Sequence, residues 1–244
     1  MTFANHSIAI LRNSRRAPAS VLVAFVFAAL LASLQSSADE SPRALPAPSS
    51  DNALAAGALQ TAVLGGGCFW GMQAVFEHLK GVHQVLAGYS GGKAATAHYR
   101  VVGTGATGHA ESVKITFDPR EVTYGQILQV FFSVAHDPTE LNRQGPDEGS
   151  QYRSVVFYGD ATQQRIALAY IAQLERIRAF GSPIVTRVDP FVAFYPAEGY
   201  HQDFLVHNLS DPYIVYNDLP KLAAFQQLLP QLYRGQPSLL RVRN

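Results

Sequence analysis

The feature that most narrows what this chain can fold into is a run of three glycines, Gly65-Gly66-Gly67, set between two patterns of different period. Before it, Thr61-Ala62-Val63-Leu64 is a short apolar run that reads as a buried strand. After it, Met72, Val75, Phe76 and Leu79 recur at helical spacing. The chain must leave a strand, turn through glycines and enter a helix within a few residues. Cys68, the only cysteine, falls at the start of that helix, and Trp70, the only tryptophan, lies two residues on. Free N–H groups at a helix N-terminus favour an anion, and a thiolate is one. Such an end supplies up to ~2 kcal/mol in partly buried geometry. At ~1.4 kcal/mol per pKa unit, this predicts a thiol lowered from ~8.5 to roughly 7. The common alternative is a small buried cysteine packing a strand-helix corner. The glycines weigh against it, because they permit close approach. So does the Phe69-Trp70 pair, whose rings can wall an apolar group.

The N-terminus reads as a secretory signal. Arg12, Arg15 and Arg16 precede an unbroken apolar run, Val21–Ala32, and no acid occurs before Asp39. That run is too short for a membrane span of ~20 residues and suits a signal h-region. Ser36-Ser37-Ala38 offers small residues for cleavage. Residues Met1–Ala38 are therefore expected to be removed, with export to a compartment such as the bacterial periplasm; the alternative is an uncleaved membrane anchor. Cleavage takes away three arginines and no acid, so nineteen basic and eighteen acidic residues become sixteen and eighteen, a net charge of −2. No basic stripe is visible, which argues against a nucleic-acid partner. A single cysteine forbids an intrachain disulfide. In an exported chain, a lone thiol is better explained by chemistry than by scaffolding.

Residues Asp39–Gln60, rich in Ser, Pro, Ala and Gly, read as a flexible leader without a core of its own. A single domain is expected over 61–244. Its strands are expected at Thr61–Leu64, Val82–Tyr89, His109–Phe117, Arg153–Tyr158 and Ile184–Val188. Helices are expected at Phe69–Leu79, after a Thr123/Gln126 capping box, after Asp160, near His201–His207, and at Leu219–Tyr233. Lys93–Gly108 and Asp137–Gln151 read as long loops, which in compact domains are usually functional or disordered. The order strand-helix-strand-strand-helix-strand is that of a split β-α-β arrangement. The expected fold class is α+β: a ferredoxin-like two-layer sandwich with a mixed, mainly antiparallel sheet and a C-terminal extension.

In His109–Phe117 the alternation places Glu111 on one face with Val113, Ile115 and Phe117. A carboxyl on that apolar face is desolvated and its pKa raised, so Glu111 is a candidate proton donor near neutral pH. A glutamate turned back to solvent at a strand end is the bland reading. Asp147, after Gly145-Pro146, reads alone as an ordinary turn aspartate. Tyr99 and Tyr152 stand at loop borders, as exposed tyrosines or as hydroxyl donors. The eight histidines show no metal-ligand spacing. The glycine turn lacks a dinucleotide or P-loop signature.

Six stretches then form a resemblance: Gly66-Gly67-Cys68-Phe69-Trp70-Gly71, Gly88-Tyr89-Ser90-Gly91-Gly92, Gly105–Glu111, Phe117-Asp118-Pro119, Gln151-Tyr152-Arg153-Ser154 and Tyr195–Gln202. In order and spacing, from about Thr61 to about Tyr216, they resemble the peptide methionine sulfoxide reductase A family. The resemblance implies reduction of the S epimer of methionine sulfoxide, free or in peptides. It implies Cys68 as nucleophile and Glu111 as acid. Phe69 and Trp70 would hold the S-methyl group, and Tyr99, Asp147 and Tyr152 the sulfoxide oxygen, a water network or nearby backbone. No bound cofactor or metal is implied. The partner is an external thiol reductant: thioredoxin, glutaredoxin with glutathione, or a periplasmic thiol protein. A monomer with no membrane contact after signal cleavage is expected. The chain departs from the family pattern in lacking further cysteines near its C-terminus, which makes recycling intermolecular; Pro146 also stands where asparagine is frequent. The segment after Tyr233 carries no redox group and is expected to be dispensable for catalysis. Two alternatives of other classes are a cysteine hydrolase pairing Cys68 with His109 or His201, and a non-catalytic reader of oxidised methionine.

Overall fold

A computed structural model describes residues 42–240; the expected signal, Met1–Ala38, lies outside the described residues. Strand β1 (Gln60–Gly65) runs into the glycine turn and helix α1 (Phe69–Glu77). β2 (Val82–Ser90) returns. A short helix α2 (Tyr99–Val102) interrupts the segment expected to be a plain loop. β3 (Ala110–Phe117) leads to α3 (Tyr124–Val130), which ends in a π-helical turn, Phe131–Ala135. Thr123 caps α3 reciprocally with Gln126, as the spacing predicts. The second long loop folds on itself as a tiny hairpin, β4 (Arg143–Gln144) and β5 (Asp147–Glu148). β6 (Val155–Tyr158) and α4 (Ala161–Arg176) follow, with the Asp160 carboxylate accepting from Gln163 N–H at the start of α4. β7 (Arg187–Pro190), β8 (Phe194–Pro196), α5 (Phe204–His207) and α6 (Leu219–Leu228) complete the chain. α6 stops short of the expected Tyr233 because Pro230 restricts the residue before it.

The sheet order is β7-β6-β1-β3-β2-β8. The four central strands, β6-β1-β3-β2, are the antiparallel split β-α-β core. β7 adds in parallel at one edge and β8 in antiparallel at the other, so the sheet is mixed but mainly antiparallel. The α+β class and two-layer arrangement hold. Leu64, Val85, Val113, Ile115, Phe117 and Val156 form one core with α1, α3 and α4. A smaller cluster of Val63, Ala110, Val155 and Phe157 lies apart and is packed by Phe194.

Register positions the chemistry. Leu64 pairs with Val113, so Glu111, two residues earlier in β3, is level with the glycines that leave β1. A Cβ on Gly65 would stand 2.8 Å from the Glu111 carbonyl oxygen. On the other side Glu111 pairs with Tyr89 of β2.

The leader differs from its sequence reading. Leu45 is buried in the main core. Tyr170 Oη donates to Pro46 O, Gln129 Nε2 to Leu45 O, and Gln173 Nε2 to Ala47 O. Asp51 accepts from Gly125 N–H at 2.9 Å and from the Thr123 hydroxyl, an acidic partner at the start of α3. Polar side chains of α3 and α4 thus satisfy the leader's backbone, which a composition of Ser, Pro and Ala does not reveal. The C-terminal extension is likewise docked. Arg234 Nε donates to Glu77 O and Nη2 to Val82 O, and Leu240 N–H to Asp203 Oδ2.

Candidate active site

Cys68 is the residue just before α1, with φ −56° and ψ 127°, and is 8% exposed. The turn that presents it depends on Gly67, whose φ of +89° disfavours any side chain and whose added Cβ would lie 2.6 Å from Gln144 Cγ. The close approach made possible by the glycines is therefore used by the β4–β5 loop. Gly67 N–H also donates to Tyr152 O at 3.2 Å, which draws Tyr152 to the Cys68 turn.

The first free amides of α1 are shared between two groups. Phe69 N–H donates to Glu111 Oε2 at 3.1 Å, while Trp70 N–H serves the Cys68 sulfur. Glu111 is 2% exposed. Burial, opposed by the Phe69 amide and helped by Asp147, pushes its carboxyl up to about 8. The acid expected from strand alternation is thus neutral near pH 7.

The expected lowering of the Cys68 pKa does not hold. Burial first, then Glu111, Asp218 and Asp147, push the thiol well above its ordinary value, against the pull of the Trp70 amide. Protonation of Glu111 removes its share of that push, but burial remains the largest cause. The helix end is present as read; its amides are divided, and the desolvation of Cys68 outweighs them.

The other expected residues gather around this pair. Tyr99 and Tyr152 are half-buried, and both feel Cys68, Glu111 and Asp147 electrostatically. Desolvation raises both phenols, Tyr99 to about 12, so both are neutral donors. Asp147 is half-buried, its carboxyl raised by burial, and it accepts a hydrogen bond from Tyr213 Oη. Phe69 is buried against Tyr89 and His201, with ring centroids 5.8 and 5.0 Å away. Trp70 is the half-exposed wall. It stacks on Phe204 at 3.7 Å and meets the edge of Tyr213 at 5.9 Å.

Residues 60–232 match the family model of peptide methionine sulfoxide reductase. The chain belongs to that family. It is 58% identical over 181 residues to "Peptide methionine sulfoxide reductase MsrA 2" of Mesorhizobium japonicum, covering 74% of this chain and 93% of the relative. With MsrA of Chromobacterium violaceum it shares 47% over 177 residues, 72% of this chain and all of the relative. Among solved structures, methionine sulfoxide reductase A of Corynebacterium diphtheriae superposes with a TM-score of 0.55 at 30% identity, covering 69% of this chain and 83% of that one. Mxr1 from Saccharomyces cerevisiae in reduced form gives 0.56 at 28% identity, covering 66% and 92%.

In this MsrA-family chain, several site residues escape a reading of the sequence alone. Tyr213 comes from the segment before α6 and bridges Asp147 and Trp70. Asp218 is fully buried against Gly71 of α1, where an added Cβ would fall 2.0 Å from its Oδ1. That glycine, immediately after the tryptophan, is the available signal. Glu198 accepts from Tyr99 N–H at 3.0 Å and from Tyr89 Oη at 2.9 Å, tying α2 to β2. A cavity of about 220 Å³ is lined by Cys68, Val134, Gln144, Tyr213, Asn217 and Lys221, and not by Glu111 or Tyr99.

The geometry gives the hydrolase alternative no base. His109 spends Nδ1 on Gly92 N–H and Nε2 on Lys93 O. His201 Nδ1 accepts from Trp70 Nε1, and its Nε2 has no partner among the described residues. Away from the site, His83, Asp118 and Glu121 bring ligand atoms within 4.8 Å of one another. Arg120 Nε already donates to both carboxylate oxygens of Asp118.

Proposed function

We propose that this chain reduces methionine-S-sulfoxide, peptide-bound or free, to methionine through Cys68, with Glu111 as the proton donor. The observation that carries this reading is the pair of adjacent amides at the start of α1. Phe69 N–H holds the neutral carboxyl of Glu111, and Trp70 N–H holds the thiol of Cys68, in a desolvated site. Sulfoxide oxygen is a poor leaving group until protonated. Cys68 sulfur attacks the substrate sulfur as Glu111 gives its proton to the oxygen. A Cys68–substrate S–S bond forms and the substrate S–O bond breaks; the oxygen then passes to the Cys68 sulfur as the S–S bond breaks, methionine leaves with that electron pair, and Cys68 is left as a sulfenic acid. Substrate sulfur gains two electrons and Cys68 loses them. Cys68 gives up its proton to solvent when it ionises and solvent returns one to Glu111, so no other co-reactant is needed. Neutral Tyr99 and Tyr152 supply donors to the oxygen. Asp147, held by Tyr213, orders that side of the site. Phe69 and Trp70 take the S-methyl, for which sulfur–aromatic contact is favourable.

An external thiol then attacks the sulfenic sulfur, water leaves, and a second thiol clears the mixed disulfide. The cavity that reaches Cys68 without crossing Glu111 supports such an approach. Thioredoxin, glutaredoxin with glutathione, or a periplasmic thiol protein fits this role. The export reading is carried forward as part of the proposal: protein recovered from an exported fraction begins at Asp39 by mass spectrometry, and an intact Met1–Ala38 on the soluble product refutes it.

The central test is a single turnover without reductant. It yields at most one methionine per enzyme and leaves a Cys68 that dimedone labels. Cys68→Ser, folded, yields none; residual turnover in that variant removes the mechanism.

A further inference from the structure

Trp70 is the half-exposed wall of the site, and its rings are held on three sides. Phe204 stacks on one face and Tyr213 meets it edge-on. The third contact is directional: Trp70 Nε1–H donates to His201 Nδ1 at 3.1 Å. An acceptor at Nδ1 fixes the tautomer, so the His201 proton is on Nε2. That Nε2–H is buried without an acceptor among the described residues. The ring itself is 2% exposed and lies against Phe69, Tyr99 and Tyr200, at 5.0, 4.3 and 4.2 Å between centroids. An apolar ring would fill this space without burying an unpaired donor. A histidine here leaves one nitrogen unsatisfied and uses the other on the indole, so the Nδ1 contact is the feature that a histidine brings.

We infer that neutral His201 is a positioning residue that fixes the indole of Trp70 before substrate arrives. The 3₁₀ turn Gly199–His201, preceded by Glu198, makes this specific. Glu198 holds the backbone of Tyr99, and three residues later His201 holds Trp70. One short turn thus sets the spacing between the expected oxygen side of the site and its methyl side. The stacking partners leave the indole free to slide in its plane; the hydrogen bond to Nδ1 does not. A cationic His201 would present a second donor to Trp70 Nε1–H and lose the hold. Burial lowers its pKa against the opposing pull of Glu198; of the titratable groups that face it, Tyr99 is a neutral phenol at neutral pH.

The test uses the fact that Trp70 is the sole tryptophan. His201→Phe keeps a ring and removes the acceptor; His201→Asn places an oxygen near the position of Nδ1. Time-resolved fluorescence anisotropy of the full chain reads the indole directly. The wild type is expected to show overall tumbling only. His201→Phe is expected to gain a nanosecond local motion, and His201→Asn to lose most of it again. In single turnover, the half-saturating sulfoxide concentration is expected to rise about tenfold in His201→Phe, with the maximal first-turnover rate within about twofold. That is the signature of lost uniform binding. In a Trp70→Phe background the same histidine change is expected to add nothing, since the two residues act as one unit. Unchanged anisotropy in a folded His201→Phe, a fall in maximal rate with saturation unmoved, or additive losses overturn the inference. The turnover arm rests on the sulfoxide-reductase reading, whereas the anisotropy arm does not. If the wild type itself is inactive, that reading fails while the hold on Trp70 is still decided.

Discussion

Replacing Glu111 with Gln keeps the size of the side chain and a hydrogen-bonding amide but removes the proton. General acid catalysis is typically worth ~10²–10⁴-fold, or ~3–5 kcal/mol of barrier, so the first-turnover rate is expected to fall by at least the lower figure. The pH profile is the sharper test. In the proposed mechanism the reactive form pairs a protonated Glu111 with an ionised Cys68. The carboxyl titrates at about 8 and the thiol well above its ordinary value, so near neutrality both protons are bound. At low substrate, first-turnover efficiency is therefore expected to rise with pH up to about 8. It then levels, because the single remaining proton is shared between the two sites, and falls once pH passes the thiol pKa. In Glu111→Gln the break near 8 should vanish. The high-pH fall should vanish with it, leaving a monotonic rise to a plateau. The thiol should titrate lower in the variant, because the push of an ionised Glu111 is gone. Rapid-quench methionine formation across about pH 6 to 10, with thiol reactivity measured in parallel, reads all three effects. A variant within tenfold of the wild type, or one that keeps the break near 8, refutes Glu111 as the donor.

Three further outcomes follow from packing. Leu45→Ala removes a leader side chain buried in the main core, and is expected to cost ~2–5 kcal/mol in denaturant unfolding; a loss under about 0.5 kcal/mol would mean the leader is not docked in solution. Deleting Arg234–Asn244 strips the tail from the Glu77 and Asp203 region; a lower melting temperature is expected with the first-turnover rate retained, and an unchanged melting temperature contradicts the docking. Glu77 is buried beside Asp203 with its carboxyl raised to about 10. The folded state therefore holds a proton that the unfolded state releases above about 4.5, and stability falls as pH rises from there towards 10. Glu77→Gln should flatten that slope in pH-dependent melts, and an unaltered slope rules out Glu77 as its source.

How much of this was legible in the sequence depended on whether the cause was local. The strand, glycine turn and helix around Cys68 are written in neighbouring residues, as are the Thr123–Gln126 box and the Asp160 cap. The alternation of β3 was sufficient to find Glu111. α2 is not legible because its first amide is capped by Glu198, 99 residues away. The docking of the leader is not legible because Leu45 alone carries its apolar anchor, while side chains of α3 and α4 bind its backbone. Tyr213, Asp218 and His201 join the site through contacts across the fold, with no periodic signal of their own. The raised thiol is hidden from the sequence for the same reason: the helix end is local, but the burial and the three carboxylates that oppose it are not.

The bond from Phe69 N–H to Glu111 ties that carboxyl to the residue covalently next to Cys68. Thermal wobble of α1 therefore carries thiol and acid together, like two tools on one handle. The gap between them is insulated from the helix's own motion and depends mainly on how β3 is clamped between β1 and β2. The β4–β5 loop and α2 have no such shared mount. Warming short of unfolding should thus loosen the grip on substrate well before it disturbs the reacting pair. Selection for activity at higher temperature would then find its gains in those two segments, and few at the centre.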